Sequence, residues 1–360
     1  MIKYLGSKRT LVPVLGDLVE ASEAETALDL FTGTTRVAQE FCRRGVHTTT
    51  VDSATYSEVL SQCYVVLDSP AVDYNGLEEA LTHLSSLPPK RGYFTKTFCE
   101  ESRYFQPKNG MKVDAIRDGI DEFYGDSWMR PVLLTSLMEA ADAVDSTVGL
   151  QMAYLKSWAA RANKDLALKV PTLTPGTGRA IRGDATQLVD ELPTVDLAYL
   201  DPPYNQHRYF TNYHIWETLV RWDAPDHYGI ACKRVDSRDD TTKSVFNRKR
   251  EMPGALASVI ERTKAETLIL SFNNEGYVPL DDLVTMCEAR EKAVEVLAFD
   301  FKRYVGAQIG IYNPSGNKVG KVSHTKNTEF VLLVGDRERI DAMAGKALHR
   351  TQAAEPAALF

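Results

Sequence analysis

Leu197-Ala198-Tyr199-Leu200-Asp201-Pro202-Pro203-Tyr204 is the stretch on which the reading of this chain turns. Val195 to Leu200 is short and largely apolar, as suits a central strand of a buried parallel sheet. An acid, two prolines and an aromatic then end it abruptly. Neither proline carries a backbone N–H, so the hydrogen-bond ladder stops there and the chain leaves the sheet as a stiff turn. In open α/β sheets, ligands bind just beyond the carboxyl ends of the strands. A carboxylate and an aromatic face fixed at that place suit a flat ring bearing an amino group. The plain alternative is a proline turn met by chance. At ordinary residue frequencies an Asp-Pro-Pro-Tyr arises about twice per thousand chains of this length. The rest of the sequence has to decide.

Upstream, Thr26 to Phe31 reads as a strand, Thr32-Gly33-Thr34-Thr35 as a turn, and the segment after it as a helix. Val37, Ala38, Phe41 and Cys42 share one face of that helix, and Gly45 closes it. Val46 to Val51 is a second strand, ending at Asp52. Nucleotide-binding sheets hold an adenosine with this β–turn–α–β arrangement, the backbone near the turn and a carboxylate on the ribose hydroxyls. The turn lacks the full GxGxxG, which counts against a dinucleotide pyrophosphate. Ahead of it, Tyr4-Leu5-Gly6-Ser7-Lys8 allows a tight turn into a helix over Leu11 to Val19, with Lys8 placed to meet an anionic group.

From about Tyr56 to Pro175 the strand–helix alternation lapses. Leu77–Leu84, Val113–Phe123 and Pro131–Lys156 are helical in pattern, which predicts an inserted helical subdomain whose aromatics are mainly core. Arg179 to Leu188 returns to the sheet with Asp184 at a strand end. Asn205 to Trp222 reads as a polar, aromatic loop able to close over a substrate, and Asp223 to Gly254 as a basic loop region. Thr267–Phe272 is a further buried strand, followed by a helix from Leu280 to Glu291. Val294–Val305 and Thr328–Val334 flank a hairpin turning at Asn313-Pro314-Ser315-Gly316. The final residues, 341–360, read as a frayed tail.

The 360 residues are 44% hydrophobic and 25% charged, ordinary for a globular chain with ample core. A net charge of −7 argues against non-specific coating of nucleic acid but leaves room for a local basic cleft. Lys233-Arg234 and Arg248-Lys249-Arg250 are among the candidate patches, and each has a solvated charged face as its plainer reading. Five scattered cysteines without a CxxC pair indicate neither a disulfide framework nor a zinc site and suit a reducing compartment. His207 and His214 lack partners at metal-ligand spacing, so no metal is expected. No apolar run resembles a signal peptide or a membrane span, so the chain is read as cytoplasmic.

With Tyr4 to Lys8, Phe31 and Gly33, Asp52, Asp184 and Asp201 to Tyr204 in this order, the chain resembles the alpha group of DNA adenine-N6 methyltransferases. These are the Dam-like enzymes and their restriction–modification relatives, of prokaryotes and phages. The resemblance spans nearly the whole chain. It implies an α/β fold, a Rossmann-like S-adenosylmethionine-dependent methyltransferase sheet with an inserted helical DNA-recognition subdomain. The catalytic domain would comprise residues 1–55 and 179–340, and the insert residues 56–178.

Carried over by position, the resemblance implies that Tyr4 and Lys8 contact S-adenosylmethionine, with Gly6 and Ser7 in the same turn. Asp29, Phe31 and Gly33 would line the cofactor pocket, Asp52 would bind the ribose, and Asp184 would lie by the adenine. Asp201, Pro202, Pro203 and Tyr204 would be catalytic. Double-stranded DNA is the implied partner, together with a cognate restriction endonuclease and without membrane or metal. The DNA-contact candidates are Arg91, Lys96, Arg103, Lys108, Arg208 and Tyr209. One departure stands out: the family's turn is usually Phe-x-Gly-x-Gly, and Thr35 replaces the last glycine here. An RNA methyltransferase could use a similar turn, and a catalytically dead DNA-binding module is the non-enzymatic alternative. A protein-glutamine methyltransferase usually has Asn where this chain has Asp201.

Overall fold

The computed structural model describes residues 2–5, 8–302, 311–312, 318–320 and 326–354. In chain order the strands are β1 (Thr26–Asp29), β2 (His47–Asp52), β3 (Gly178–Arg182), β4 (Val195–Leu200), β5 (His227–Tyr228), β6 (Lys233–Arg234), β7 (Ala265–Asn273), β8 (Ala293–Lys302), β9 (Ile311–Tyr312), β10 (Lys318–Gly320) and β11 (Lys326–Gly335). A seven-stranded sheet has the order β3-β2-β1-β4-β7-β11-β8. The pairs β2–β3, β1–β4 and β4–β7 are parallel, and β11 runs antiparallel to both β7 and β8. The expected α/β sheet with an antiparallel end is thus present. The expected turn at Asn313–Gly316 lies outside the described residues.

β4 is central because it is apolar on both faces: Leu197, Ala198, Tyr199 and Leu200 are all buried. Its register against β1 is held at the amino end, where the Asp196 carboxylate accepts bonds from Glu25 N, Thr26 N and Thr26 Oγ1 at 2.8–3.0 Å. Leu30 N donates to Tyr199 O (3.1 Å), which extends the pairing past β1. Phe31 and Asp201 therefore leave from adjacent strand ends. Chain order across the sheet reverses between these two strands, since β2 and β3 lie to one side and β4 and β7 to the other. Ligands of open α/β sheets bind outside the carboxyl ends at such a reversal.

The chain divides into two compact units, one of Met1–Lys8, Thr32–Asp184 and His207–Ser244, the other of Arg9–Phe31, Ala185–Gln206 and Val245–Phe360. This division differs from the expected boundaries at 55/56 and 178/179, because the glycine turn and residues 207–244 group with the helical segment.

In the first unit, helices Thr55–Ser61, Tyr74–Ser86, Pro107–Tyr124 and Arg130–Ala143 enclose an apolar core. Phe94, Phe98, Tyr104 and Phe105 are buried in it, as core packing predicts for these aromatics. The helix expected to reach Lys156 ends at Ala143. Side chains just beyond compete for the backbone: Thr147 Oγ1 donates to Asp145 Oδ2 (2.6 Å) and accepts from Gly149 N (2.9 Å), with Gly149 at φ +97°.

Residues 205–222 are not the expected loop. Tyr209–Asn212 and His214–Arg221 are helical, and Tyr213, Ile215, Trp216 and Leu219 are buried. Their apolar spacing at Tyr213, Trp216 and Val220 was masked in sequence by the interleaved polar residues. The buried Arg117 donates to the carbonyls of Leu219 (2.7 Å) and Val220 (3.0 Å), which a helix end otherwise leaves unpaired. The basic reading of Lys233-Arg234 also fails at Arg234. That side chain is buried and holds Asp223 at 2.7 and 2.8 Å and Asp236 at 2.6 and 3.0 Å.

In the second unit, helices Val12–Ala21, Met252–Arg262, Leu280–Glu288 and Arg337–Ala354 accompany the strands. The last of these replaces the frayed tail expected from residue 341. Ile340, Met343 and Ala347 are buried at helical spacing, and Lys346 pairs with Glu20 at 2.8 Å. Among the described residues no helix is long and apolar enough to cross a membrane.

Candidate active site

Two sets of predicted residues are built separately, one in each unit. In the first unit the glycine turn is a close approach of backbone and ring. Gly33 has φ +52°, and a Cβ there would lie 3.2–3.4 Å from the Tyr4 ring. Gly33 N donates to Asp52 Oδ2 (2.9 Å), Ala54 N to Asp52 Oδ1 (2.9 Å), and Ser57 Oγ to Gly33 O (2.5 Å). The carboxylate at the end of β2 thus clamps the turn after β1. Burial raises the Asp52 pKa above the ordinary carboxyl range, and the N–H donors of Ala54 and Gly33 work against that rise. Gly183 N donates to Asp52 O (2.9 Å), which sets Asp184 beside the same strand end. Lys8 is buried, and Gly6 and Ser7 lie outside the described residues.

Tyr4 stacks on Tyr213 (4.5 Å between ring centroids) and on Tyr209 (5.3 Å), and its hydroxyl lies 3.3 Å from that of Tyr56. Leu5 N donates to the Tyr213 hydroxyl (2.5 Å), and Lys3 pairs with Asp142 and Asp145 at 3.0 and 3.2 Å. The amino-terminal segment is therefore tethered on both sides of Tyr4. Burial first, then the neighbouring Tyr56 and Asp52, keep the Tyr4 hydroxyl protonated well above the ordinary tyrosine range. The buried Glu217 accepts N–H bonds from Thr55 (3.0 Å) and Tyr56 (3.3 Å), holding the start of the helix that carries Tyr56. Sequence reasoning missed Tyr56, Tyr213 and Glu217. Tyr213 sat in a stretch read as a loop, and nothing local distinguishes Glu217 from a surface acid.

Thr35 keeps the backbone that a glycine would favour. It has φ +62°, a left-handed conformation rare for a β-branched residue, and is wholly buried. Its hydroxyl donates to Thr34 O (2.7 Å) and accepts from the buried Gln39 Nε2 (2.8 Å). Thr35→Val keeps the strain and orphans Gln39, so it is expected to destabilise by about 1–3 kcal/mol. Thr35→Gly loses the same hydroxyl but relieves the strain, and should be more stable than Thr35→Val by about 1 kcal/mol. Urea unfolding of the pair tests this, and equal stabilities would show that the turn carries no strain.

In the second unit, the Asp201–Tyr204 turn leaves β4 with Pro202 buried and Asp201, Pro203 and Tyr204 partly exposed. Tyr277 N donates to Tyr204 O (2.9 Å), and Asn247 Nδ2 donates to Asn205 O (2.7 Å), so two other segments pin the turn. The Tyr204 ring lies 5.8 Å from that of Phe272, tilted by 58°. Phe31 meets Phe246 edge-on at 5.1 Å, and Asp29 is buried at the end of β1. Asn247 and Tyr277 were not foreseen, since only folding brings their segments to the end of β4. A carboxylate, a fixed carbonyl and an aromatic face at one strand end can engage both hydrogens and the face of an aminated ring.

The DNA-contact candidates of the helical segment already have protein partners. Arg91 holds Glu100 (2.6 Å), Lys96 lies 3.6 Å from Glu101, and Lys108 holds Asp165 (2.6 Å). Arg103 donates to Lys156 O (2.9 Å) with its guanidinium 4.9 Å from the centre of the Trp158 ring. Arg208 is exposed, and Tyr209 belongs to the tyrosine stack.

The profile of the D12 class N6 adenine-specific DNA methyltransferases matches residues 4–286. Modification methylase StsI of Streptococcus sanguinis is 27% identical over 324 residues, 84% of this chain and 49% of that protein. Type II methyltransferase M.NlaIII of Neisseria lactamica is 28% identical over 312 residues, covering 84% of this chain and 90% of its own. Type II methyltransferase M.CviAII of Paramecium bursaria Chlorella virus 1 is 27% identical over 320 residues, 84% and 92% of the two chains. The chain spans about half the length of StsI and of modification methylase LlaI of Lactococcus lactis. A precorrin-6y C5,15-methyltransferase from Geobacter metallireducens aligns over 93% of this chain and 94% of its own at 11% identity, with a TM-score of 0.31. A match over most of its length makes this chain a member of the D12 class N6 adenine-specific DNA methyltransferase family.

Proposed function

We propose that this protein methylates the exocyclic N6 of adenine at a specific sequence in double-stranded DNA, using S-adenosylmethionine. The observation that carries the reading is the Asp201-Pro-Pro-Tyr turn, which leaves the buried β4 where strand order reverses, beside the end of β1. The first unit fits the cofactor. The turn after β1 has no side chain at Gly33, and Asp52 and Asp184 stand at the ends of β2 and β3. Tyr4, Lys8, Gly33, Asp52 and Asp184 are the residues of this unit proposed to hold it. Bound there, S-adenosylmethionine would supply an electrophilic methyl group on a sulfonium, a leaving group that can retain the S–C bonding pair.

The protein's own task is to make a poor nucleophile react. The adenine amino lone pair is delocalised into the ring. Asp201 and the Pro202 carbonyl each accept one amino hydrogen, turning that lone pair out of conjugation, and the prolines fix the carbonyl's direction. The nitrogen gains the methyl carbon and a positive charge, which Asp201 stabilises before one proton passes through it to solvent. Tyr204 stacks on the base, which must first leave the duplex. Stacking of this kind contributes about 1–3 kcal/mol per base. Tyr204→Ala should therefore weaken DNA binding and turnover on the order of tenfold while S-adenosylmethionine binding holds. An unchanged KM for DNA would remove Tyr204 from base binding.

The test is methyl transfer from labelled S-adenosylmethionine to unmethylated genomic DNA, with nucleoside digestion and mapping of modified positions. Label in N6-methyladenine at one short motif supports the proposal. Label in RNA alone would move the substrate, and cofactor binding without transfer to either would leave a DNA-binding module. A cognate restriction endonuclease is the protein partner proposed for such a modification.

A further inference from the structure

The expectation of no metal rested on the scattered cysteines, Cys232 among them, and on His207 and His214. His214 is wholly buried, with Nε2 3.0 Å from Gln151 O, and is no ligand. His227 was not weighed. It lies on β5, and the segment to β6 brings Cys232 back towards it through Gly229 at φ +69°. Cys232 itself has φ +45°, a conformation a non-glycine residue adopts at a cost, and its side chain is buried. Glu101, at the end of the helical turn Lys96–Glu100, meets this hairpin: its Oε2 lies 2.7 Å from His227 Nε2. One ligand atom each from Glu101, His227 and Cys232 lies within 4.8 Å of the other two. All three residues belong to the first unit.

We propose that Glu101, His227 and Cys232 form a binding site for a divalent transition metal, with zinc the best match. One thiolate, one imidazole and one carboxylate are the donors that zinc accepts at tetrahedral sites, with distances of about 2.0–2.3 Å. Three protein ligands leave a fourth position, which water fills because Glu101 is exposed. Calcium and magnesium are disfavoured by the sulfur and nitrogen donors. Binding releases the thiol proton and replaces the Glu101–His227 hydrogen bond by two bonds to the metal. The metal ties the β5–β6 hairpin to the segment that carries Phe94, Phe98 and Tyr104, so its effect is to fix the hairpin.

The test uses the full chain, stripped with chelator and titrated with Co2+ as a spectroscopic probe and then with Zn2+. One equivalent of Co2+ should give visible d–d bands and a thiolate-to-cobalt charge-transfer band, both displaced by Zn2+. Cys232→Ser should lose the charge-transfer band and His227→Ala should weaken binding at least tenfold, whereas Cys287→Ser should behave as the parent. Zn2+ should raise the Tm of the parent by several degrees and leave Cys232→Ser unmoved, provided both melt alike in chelator. No charge-transfer band, or the same band and Zn2+ response in Cys232→Ser, would overturn the site.

Discussion

Asp201→Ala is expected to lower methyl transfer about a thousandfold or more while S-adenosylmethionine binds within about twofold of the parent. In the proposed mechanism the carboxylate's contribution grows with the charge on the amino nitrogen, so it would be made mainly in the transition state and appear in kcat. Fold effects should be slight. Asp201 is partly exposed at the turn, and the turn is held by Pro202, by the Tyr277 N–H on Tyr204 O and by Asn247 on Asn205 O. Asp201→Asn retains one acceptor oxygen without the charge and should fall between the two. Single-turnover transfer to DNA, set beside calorimetric S-adenosylmethionine binding, separates chemistry from binding. An Asp201→Ala enzyme of near-normal turnover would remove the mechanism.

The second large effect is a loss of stability in mild acid, caused by His214. Burial, first, and then the nearby Lys233 and Arg234 charges bring its pKa down to about 3 from the usual 6.5. The Gln151 carbonyl at 3.0 Å and Asp236 oppose that shift without cancelling it. As pH falls through 6.5 the unfolded chain takes up a proton that the folded chain refuses until about 3. The unfolded state then binds more protons, so unfolding free energy falls with falling pH throughout that window. Each pH unit below 6.5 removes up to ~1.4 kcal/mol, or about 2 kcal/mol between pH 7 and pH 5. Above 6.5 this contribution is complete and flat.

Other groups titrate in acid, so the contrast that matters is between the parent and His214→Gln. Burial raises the Asp223 pKa, but the hydrogen bond and charge of Arg234 outweigh it and hold the carboxyl below its usual range. Its contribution therefore belongs to lower pH. Glutamine is neutral and can still donate towards Gln151 O. His214→Gln is expected to lose stability at pH 7 and then to lose about 2 kcal/mol less than the parent between pH 7 and pH 5 in urea unfolding. A variant that loses as much as the parent over that interval would place the acid sensitivity elsewhere.

Much of the sheet was legible because burial on both faces leaves a simple trace. Val195–Leu200 is followed, after Asp201, by two prolines that cannot donate to a ladder, and the match to β4 is residue for residue. Thr26–Asp29 and His47–Asp52 were readable from the glycine turn between them and the acid that ends the second strand. Local chemistry also misled. The helix His214–Arg221 carries His214, Glu217 and Thr218 inside the fold, so its buried face looks polar in sequence. Only tertiary partners make those residues core: Gln151 for His214, the Thr55 and Tyr56 N–H groups for Glu217.

The sequence by itself determined the sheet, the turn after its central strand and the order of the chemical groups along the chain. These depend on backbone propensity, apolar runs and proline's missing donor, all properties of neighbours in sequence. Tertiary structure alone decided that Arg234 is a buried clamp rather than a phosphate contact, that Tyr4 stacks on Tyr213, and that His227 meets Glu101 and Cys232. A charged or aromatic side chain takes its role from what desolvates it and what it pairs with. Tyr213 lies more than a hundred residues from Tyr4, as does Glu101 from His227, and chain closure over such separations leaves no local mark.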